Sequence, residues 1–161
     1  MTAEEIKTPA EDVAVLAIPG ARGRVEVVGT RRVFYKVRQG GEVLKKRKGA
    51  WPIALKNGSV ADLRSAGWYP GFQTLYLEGA KVYRFGEGVP VIAKVFAFLP
   101  LLAILVNPLV GGLLGLVLVF YSIVAIKYPE FPNRIKIALP LMNTLAAILL
   151  ALVIRGGGSA S

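Results

Sequence analysis

Residues 95–126 constrain this chain more than any other stretch, because thirty-two consecutive positions carry no charged side chain and the run is broken only at Asn107 and Pro108. At about 1.5 Å per helical residue such a run reaches roughly 48 Å, well past the roughly 30 Å hydrocarbon core of a bilayer. One spanning helix does not account for it. Pro108 lacks an amide donor and disfavours helix at Asn107, so the run divides into segments 90–106 and 109–126, each near spanning length. Pro100 is expected to kink the first segment, and Lys94 near its start can extend its ammonium to the membrane interface. A third uncharged run, 137–154, ends at Arg155. The pattern predicts a transmembrane hairpin followed by a third transmembrane α-helix.

The rest of the chain reads differently. Hydrophobic residues make up 54% of the 161 and mean hydropathy is +0.54, yet the first 85 residues are charged and punctuated by glycine. From Arg24 onward, short apolar runs alternate with period two between turn residues, which favours β structure. Strands are expected at 24–28, 32–39, 42–47, 51–56, 74–77 and 80–85, with turns at Gly40 and Gly41, Asn57 and Gly58, and Glu78 and Gly79. The run 13–18 is a candidate first strand. Ser59, with Asp62 three residues on and Gly67 beyond, reads as one or two helical turns with an N-cap. The fold class expected is a cytosolic β-rich domain at 22–86, barrel-like or a bent sheet, followed by three transmembrane helices within 90–155. Residues 1–21 are expected to be a mobile N-terminal segment, and 156–161 a linker left from a tag. Nothing in the first residues resembles an export signal.

Composition excludes several chemistries. The chain has no Cys and no His, which removes disulfides, thiolate nucleophiles, imidazole metal ligands and Ser-His-Asp triads. Nine of the ten carboxylates precede residue 90, and Asp62, Glu78 and Glu87 fall in caps or turns without a paired acid and base. No phosphate-binding glycine spacing is present. A non-enzymatic protein is expected, with no catalytic residue, no cofactor and no metal.

The net charge of +10 sets the expected topology. Residues 1–90 carry fifteen Lys and Arg against nine Asp and Glu, and residues 91–161 carry five against one. The basic head and the loop 127–136 belong on the cytosolic side, with Asn107 and Pro108 opposite, so the N-terminus is placed inside and the C-terminus outside a bacterial inner membrane. Arg155 alone dissents.

Candidate functional residues fall into two groups. Gly111 and Gly115 form a pair of small residues four apart, able to admit another helix closely, either within the chain's own bundle or from another copy. Asn143, Ala147 and Ala151 recur every four residues, beside Thr144, as a helix seam or the wall of a polar pathway. In the head, Lys45, Lys46, Arg47 and Lys48 form the densest charge run, as a solvated sheet edge or a contact for anionic lipid or a partner. Trp68 and Tyr69, in a bend with Pro70 and Gly71, can present an aromatic edge to a membrane interface, whereas Trp51, Phe72 and Tyr76 read as core. The partners expected are the lipid bilayer and either further copies of the chain or a membrane-protein partner, with nucleic acid disfavoured. An accessory or scaffold subunit is the leading expectation; the alternative is a channel or transporter component built from several copies.

Overall fold

The computed structural model describes residues 12–157, and the chain divides into two units, Met1–Gly86 and Glu87–Ser161. Most of the segment expected to be mobile, and the last four residues of the expected linker, lie outside the described residues.

The first unit holds eight strands in two antiparallel meanders: β1 (Val13–Leu16), β2 (Val25–Val28), β3 (Lys36–Gln39) and β4 (Glu42–Val43), then β5 (Ala50–Ala54), β6 (Val60–Ala66), β7 (Thr74–Leu77) and β8 (Ala80–Arg84). Alternation puts Val25, Val27 and Val37 on the inner face of one sheet and Ile53, Leu63 and Leu75 on that of the other, where they form one hydrophobic cluster with Leu16, Trp51 and Phe85. The expected barrel or single bent sheet is therefore replaced by two four-stranded sheets around a shared core. The sheets are stitched where Ala21 bridges Leu55, with Arg22 N–H donating to Ala54 O at 2.8 Å and Lys56 N–H to Gly20 O at 2.8 Å. Gln39 tightens this seam: its amide donates to Ala54 O at 2.7 Å and accepts from Ala54 N–H at 2.9 Å.

Several sequence expectations are corrected here. Residues 60–66 form strand β6 between β5 and β7, not helical turns. The period is two, with Ala61 and Leu63 buried while Val60, Asp62 and Arg64 face out. Ser59 is not a helix cap, because its N–H and hydroxyl both donate to Asn57 Oδ1, closing the Asn57–Gly58 turn. The strand expected at 32–39 starts only at Lys36, since residues 29–31 are held in a turn by Asp12: Gly29 N–H donates to its carbonyl at 2.7 Å, Arg31 N–H to its carboxylate at 2.7 Å, and the Thr30 hydroxyl bonds the same carboxylate. That turn and β1 extend the β unit to residues upstream of 22. Strand β4 is two residues long, so Lys45, Lys46, Arg47 and Lys48 lie beyond it, in the connection to β5.

The second unit holds α1 (Val91–Phe96), a 3-10 segment (Leu99–Leu105), α2 (Val110–Ile126) and α3 (Asn133–Gly157). The expected first span is not one helix. Pro100 cannot donate to Phe96, and the bonds tighten from Ala97 N–H to Ala93 O into the three-residue steps Phe98 to Val95 and Leu101 to Phe98. At about 1.5 Å per residue the seventeen residues of α2 reach roughly 25 Å, short of the bilayer core. Among the described residues, only α3 is long and apolar enough to cross a membrane. It starts after Pro132, before the uncharged run, carries Pro140 inside it and extends through Gly156 and Gly157.

Removing the amide of Gln39 unties the seam between the sheets. Gln39→Ala is expected to destabilise the β unit by about 1–2 kcal/mol, since Ala54 N–H loses its acceptor and Ala54 O keeps only the Arg22 N–H donor. Thermal melts followed by β-sheet circular dichroism check this as a drop in Tm of roughly 5–10 °C.

Candidate binding surface and helix packing faces

In the helical unit, the small residues are inside. A Cβ on Gly111 would overlap the carbonyl of Ala103, and one on Gly115 would sit 2.5 Å from the carbonyl oxygen of Pro100. Both glycines thus admit the backbone of the chain's own 3-10 segment, not a side chain. Asn107 supports this approach at the start of α2, its side-chain oxygen accepting from Val110 N–H at 3.1 Å. Between α2 and α3, Asn143 Nδ2 donates to Ser122 Oγ at 2.9 Å, and Ser122 is fully buried. Ala147 and Ala151 are buried on the same face of α3, and Thr144 donates its hydroxyl to Pro140 O at 2.8 Å. Arg155, the charge at odds with the expected topology, donates to Val106 O at 3.3 Å, so the end of α3 lies beside the turn before α2. Lys127 and Lys136, flanking the α2–α3 connection, are buried at the opposite ends of their helices from that turn.

Most of the large side chains are outside, Val119, Ile123 and Ile126 being buried. Leu105, Leu109, Leu113, Val117, Met142, Leu145, Leu149 and Val153 are all exposed, and only 22% of the apolar stretch of α3 is buried.

In the β unit, the Lys45–48 run is exposed throughout, and it turns at Lys48 and Gly49, both at positive φ. Arg47 pairs by its backbone with Ala50, which aims the run away from the core. Lys46 reaches back: its ammonium donates to Ser65 Oγ at 3.2 Å and lies 4.6 Å from the centroid of the Trp51 ring. These residues line a pocket of about 250 Å³ together with Phe34, Tyr35 and Gln73. Tyr35 stacks at 4.2 Å on Phe85 and 5.7 Å from Trp51. Burial pushes its phenol above the ordinary range, with the Ser65 hydroxyl acting in the opposite sense, so the wall it forms is neutral at physiological pH. Gln73 Oε1 is buried and finds no donor among the described residues. Phe34, which lines the pocket, is 78% exposed, and Trp68, two residues before the lining Pro70, is 81% exposed with its ring 3.9 Å from that of Tyr69.

The sequence singles out the basic run, Trp68 and Tyr69, but not the pocket behind them. Phe34, Tyr35, Ser65 and Gln73 come from three separate segments, and only pairing of β6 with β7 brings Ser65 and Gln73 near β3. Trp51 and Phe72 are core, as expected from their pattern. Among the described residues no three acidic side chains gather to hold a metal.

The two glycines separate backbone contact from side-chain contact. Gly111→Ala is expected to destabilise the helical unit by about 1–3 kcal/mol through overpacking, whereas Gly112→Ala, whose Cβ would meet only the Ile104 side chain at 3.6 Å, is expected to be nearly neutral. Unfolding titrations in detergent, followed by helical circular dichroism, compare them. Comparison of the chain with models of protein families, with curated proteins and with solved structures finds no match.

Proposed function

We propose that this chain is a non-enzymatic, multi-pass bacterial inner-membrane protein, an accessory subunit whose helical unit is the anchor and whose β unit offers a basic, aromatic binding surface on the cytosolic side. The observation that carries this reading is the packing of the helical unit, with Gly111, Gly115, Ser122 and several alanines at the close contacts beside Val119, Ile123 and Ile126, and most leucines with Met142 exposed outside. In water such a surface has a large unfavourable free energy, at about 25 cal/mol per Å² of apolar area left exposed. Against lipid it has none, and close approach of small residues becomes the attraction that holds helices together. In this reading α3 crosses the bilayer, and the 3-10 segment with α2 crosses beside it as a shorter hairpin that local thinning of the bilayer accommodates. Lys127 and Lys136 mark the cytosolic end, and the Arg155 contact with Val106 puts the C-terminus at the other.

The anchor is favoured over the channel alternative by the direction of the polar side chains. A pore between copies needs polar groups on an outward face, whereas Ser122 and Thr144 are buried and Asn143 is bonded to Ser122. Contact with another membrane protein falls instead to the outward leucines and valines.

Because the natural chain lacks cysteine, single-cysteine variants test the topology without background. Lys48→Cys is expected to react with an impermeant maleimide only in inside-out vesicles and Gly156→Cys only in right-side-out ones, with the protein retained in the membrane pellet after alkaline carbonate washing. Release by carbonate, or labelling of both positions from one side, contradicts the proposal.

A further inference from the structure

The surface of the β unit has two chemistries that rarely meet by accident: aromatic rings left in water and an uninterrupted run of cations. Among the described residues of this unit, Trp68 and Phe34 are the most exposed of the large hydrophobic side chains, and rings of this kind settle at the boundary between headgroups and acyl chains. Lys45, Lys46, Arg47 and Lys48 are exposed on the connection whose Lys46 lines the same pocket as Phe34 and Pro70, the latter two residues from Trp68. The unit as a whole carries fifteen Lys and Arg against eight Asp and Glu.

The chain itself supplies a candidate surface of the opposite sign. Residues 86–90 are all that separate Phe85, fully buried in the β core, from the start of α1. Fully extended, five residues reach roughly 18 Å. If α1 leads into a membrane anchor, the β unit is confined to within that distance of the headgroups, where a partner arriving from solution must compete with lipid already present at high local concentration. An acidic protein could match the lysines, but it would have no particular use for two projecting rings.

We infer that the β unit docks onto its own bilayer, with Trp68 and Phe34 entering the interface and the run Lys45, Lys46, Arg47 and Lys48 contacting anionic phospholipid headgroups. This rests on the membrane-anchor reading and names the partner of the surface described there. Docking of this kind depends on the fraction of anionic lipid and weakens with salt, since the cations act through a screened surface potential. Lys46 Nζ, which donates to Ser65 and lies over the Trp51 ring, lines the same pocket as Phe34.

The two tryptophans make the test specific. Trp51→Phe removes the buried one and leaves Trp68 as the sole indole reporter. The full-length variant is reconstituted in nanodiscs of phosphatidylcholine alone or mixed with phosphatidylglycerol, each with or without acyl-brominated lipid. The expected result is a blue-shifted Trp68 emission, quenched by brominated lipid in the anionic discs and reverting toward the solvent-exposed spectrum in neutral discs, at high salt, or in Lys45→Ala/Lys48→Ala. Trp68 exposed and unquenched in both discs, with the chain still inserted, overturns docking and leaves the anchor standing. Quenching that ignores anionic lipid and salt overturns the role given to the basic run. Protection of Trp68 by a soluble polyglutamate peptide but by neither bilayer overturns it in favour of an acidic protein partner. Failure of the chain to enter either disc removes the anchor, and the docking with it.

Discussion

The closest approach in the helical unit is between the backbone of α2 at Gly111 and Gly115 and the carbonyls of Ala103 and Pro100, and the rest of that unit follows from it. Two backbones can lie this near only where no Cβ intervenes. Once they do, Ala93, Ala97, Ala103, Ala147 and Ala151 fill the interior together with Val119, Ile123 and Ile126, and most leucines and Met142 are left facing outward. Such an interior buries little apolar area, so the hydrophobic effect contributes little to closing it. In the proposed bilayer setting that is no handicap, because dispersion between closely packed backbones and bonds such as Asn143 to Ser122 provide the attraction. The same setting explains why the break at Pro100 is tolerated where it is, buried against its neighbours and relayed through 3-10 bonds.

The β unit is organised by different physics. Its two short sheets share one apolar cluster, and the polar groups at the seam are satisfied by the Gln39 amide and by backbone bonds around Ala54. Asp12 performs the same service for the turn at residues 29–31. With the interior closed in this way, the side chains left over are those on connections: the Lys45–48 run, Phe34 before β3, and the bend after β6. These are the parts that form the candidate binding surface, on loops positioned by a rigid scaffold.

Much of the β pattern was legible in the sequence because period-two alternation is a local signal. The hairpin of β7 and β8 was readable from Leu75, Leu77 and the Glu78–Gly79 turn, where both residues adopt positive φ. The helical turns expected at β6 follow from Ser59, Asp62 and Gly67, whose spacing fits an N-cap and a terminating glycine. The inward set is Ala61 and Leu63, and a small alanine gives a weak apolar signal. The pocket was not legible, since Ser65 and Gln73 meet Tyr35 and Lys46 only through contacts distant in sequence. In the helical unit the uncharged runs marked where helix would form, but composition does not distinguish one continuous helix from α1 plus a 3-10 segment. That division depends on Pro100 and on the glycines facing it across the fold. The basic run and Trp68 were legible for the opposite reason, being exposed features whose chemistry does not depend on neighbours.

The central claim is that the outward leucines of α3 face hydrocarbon while Ala147 and Ala151 face protein. Site-directed spin labels at Leu145, Leu149 and Ala147, placed singly by cysteine substitution and reconstituted in lipid vesicles, read this through collision with oxygen, which concentrates in the bilayer, and with a water-soluble nickel chelate. The account predicts high oxygen and low nickel accessibility at Leu145 and Leu149, and low accessibility to both at Ala147. Strong nickel accessibility at Leu145 and Leu149 in the folded, vesicle-associated protein would place that face in water and contradict it.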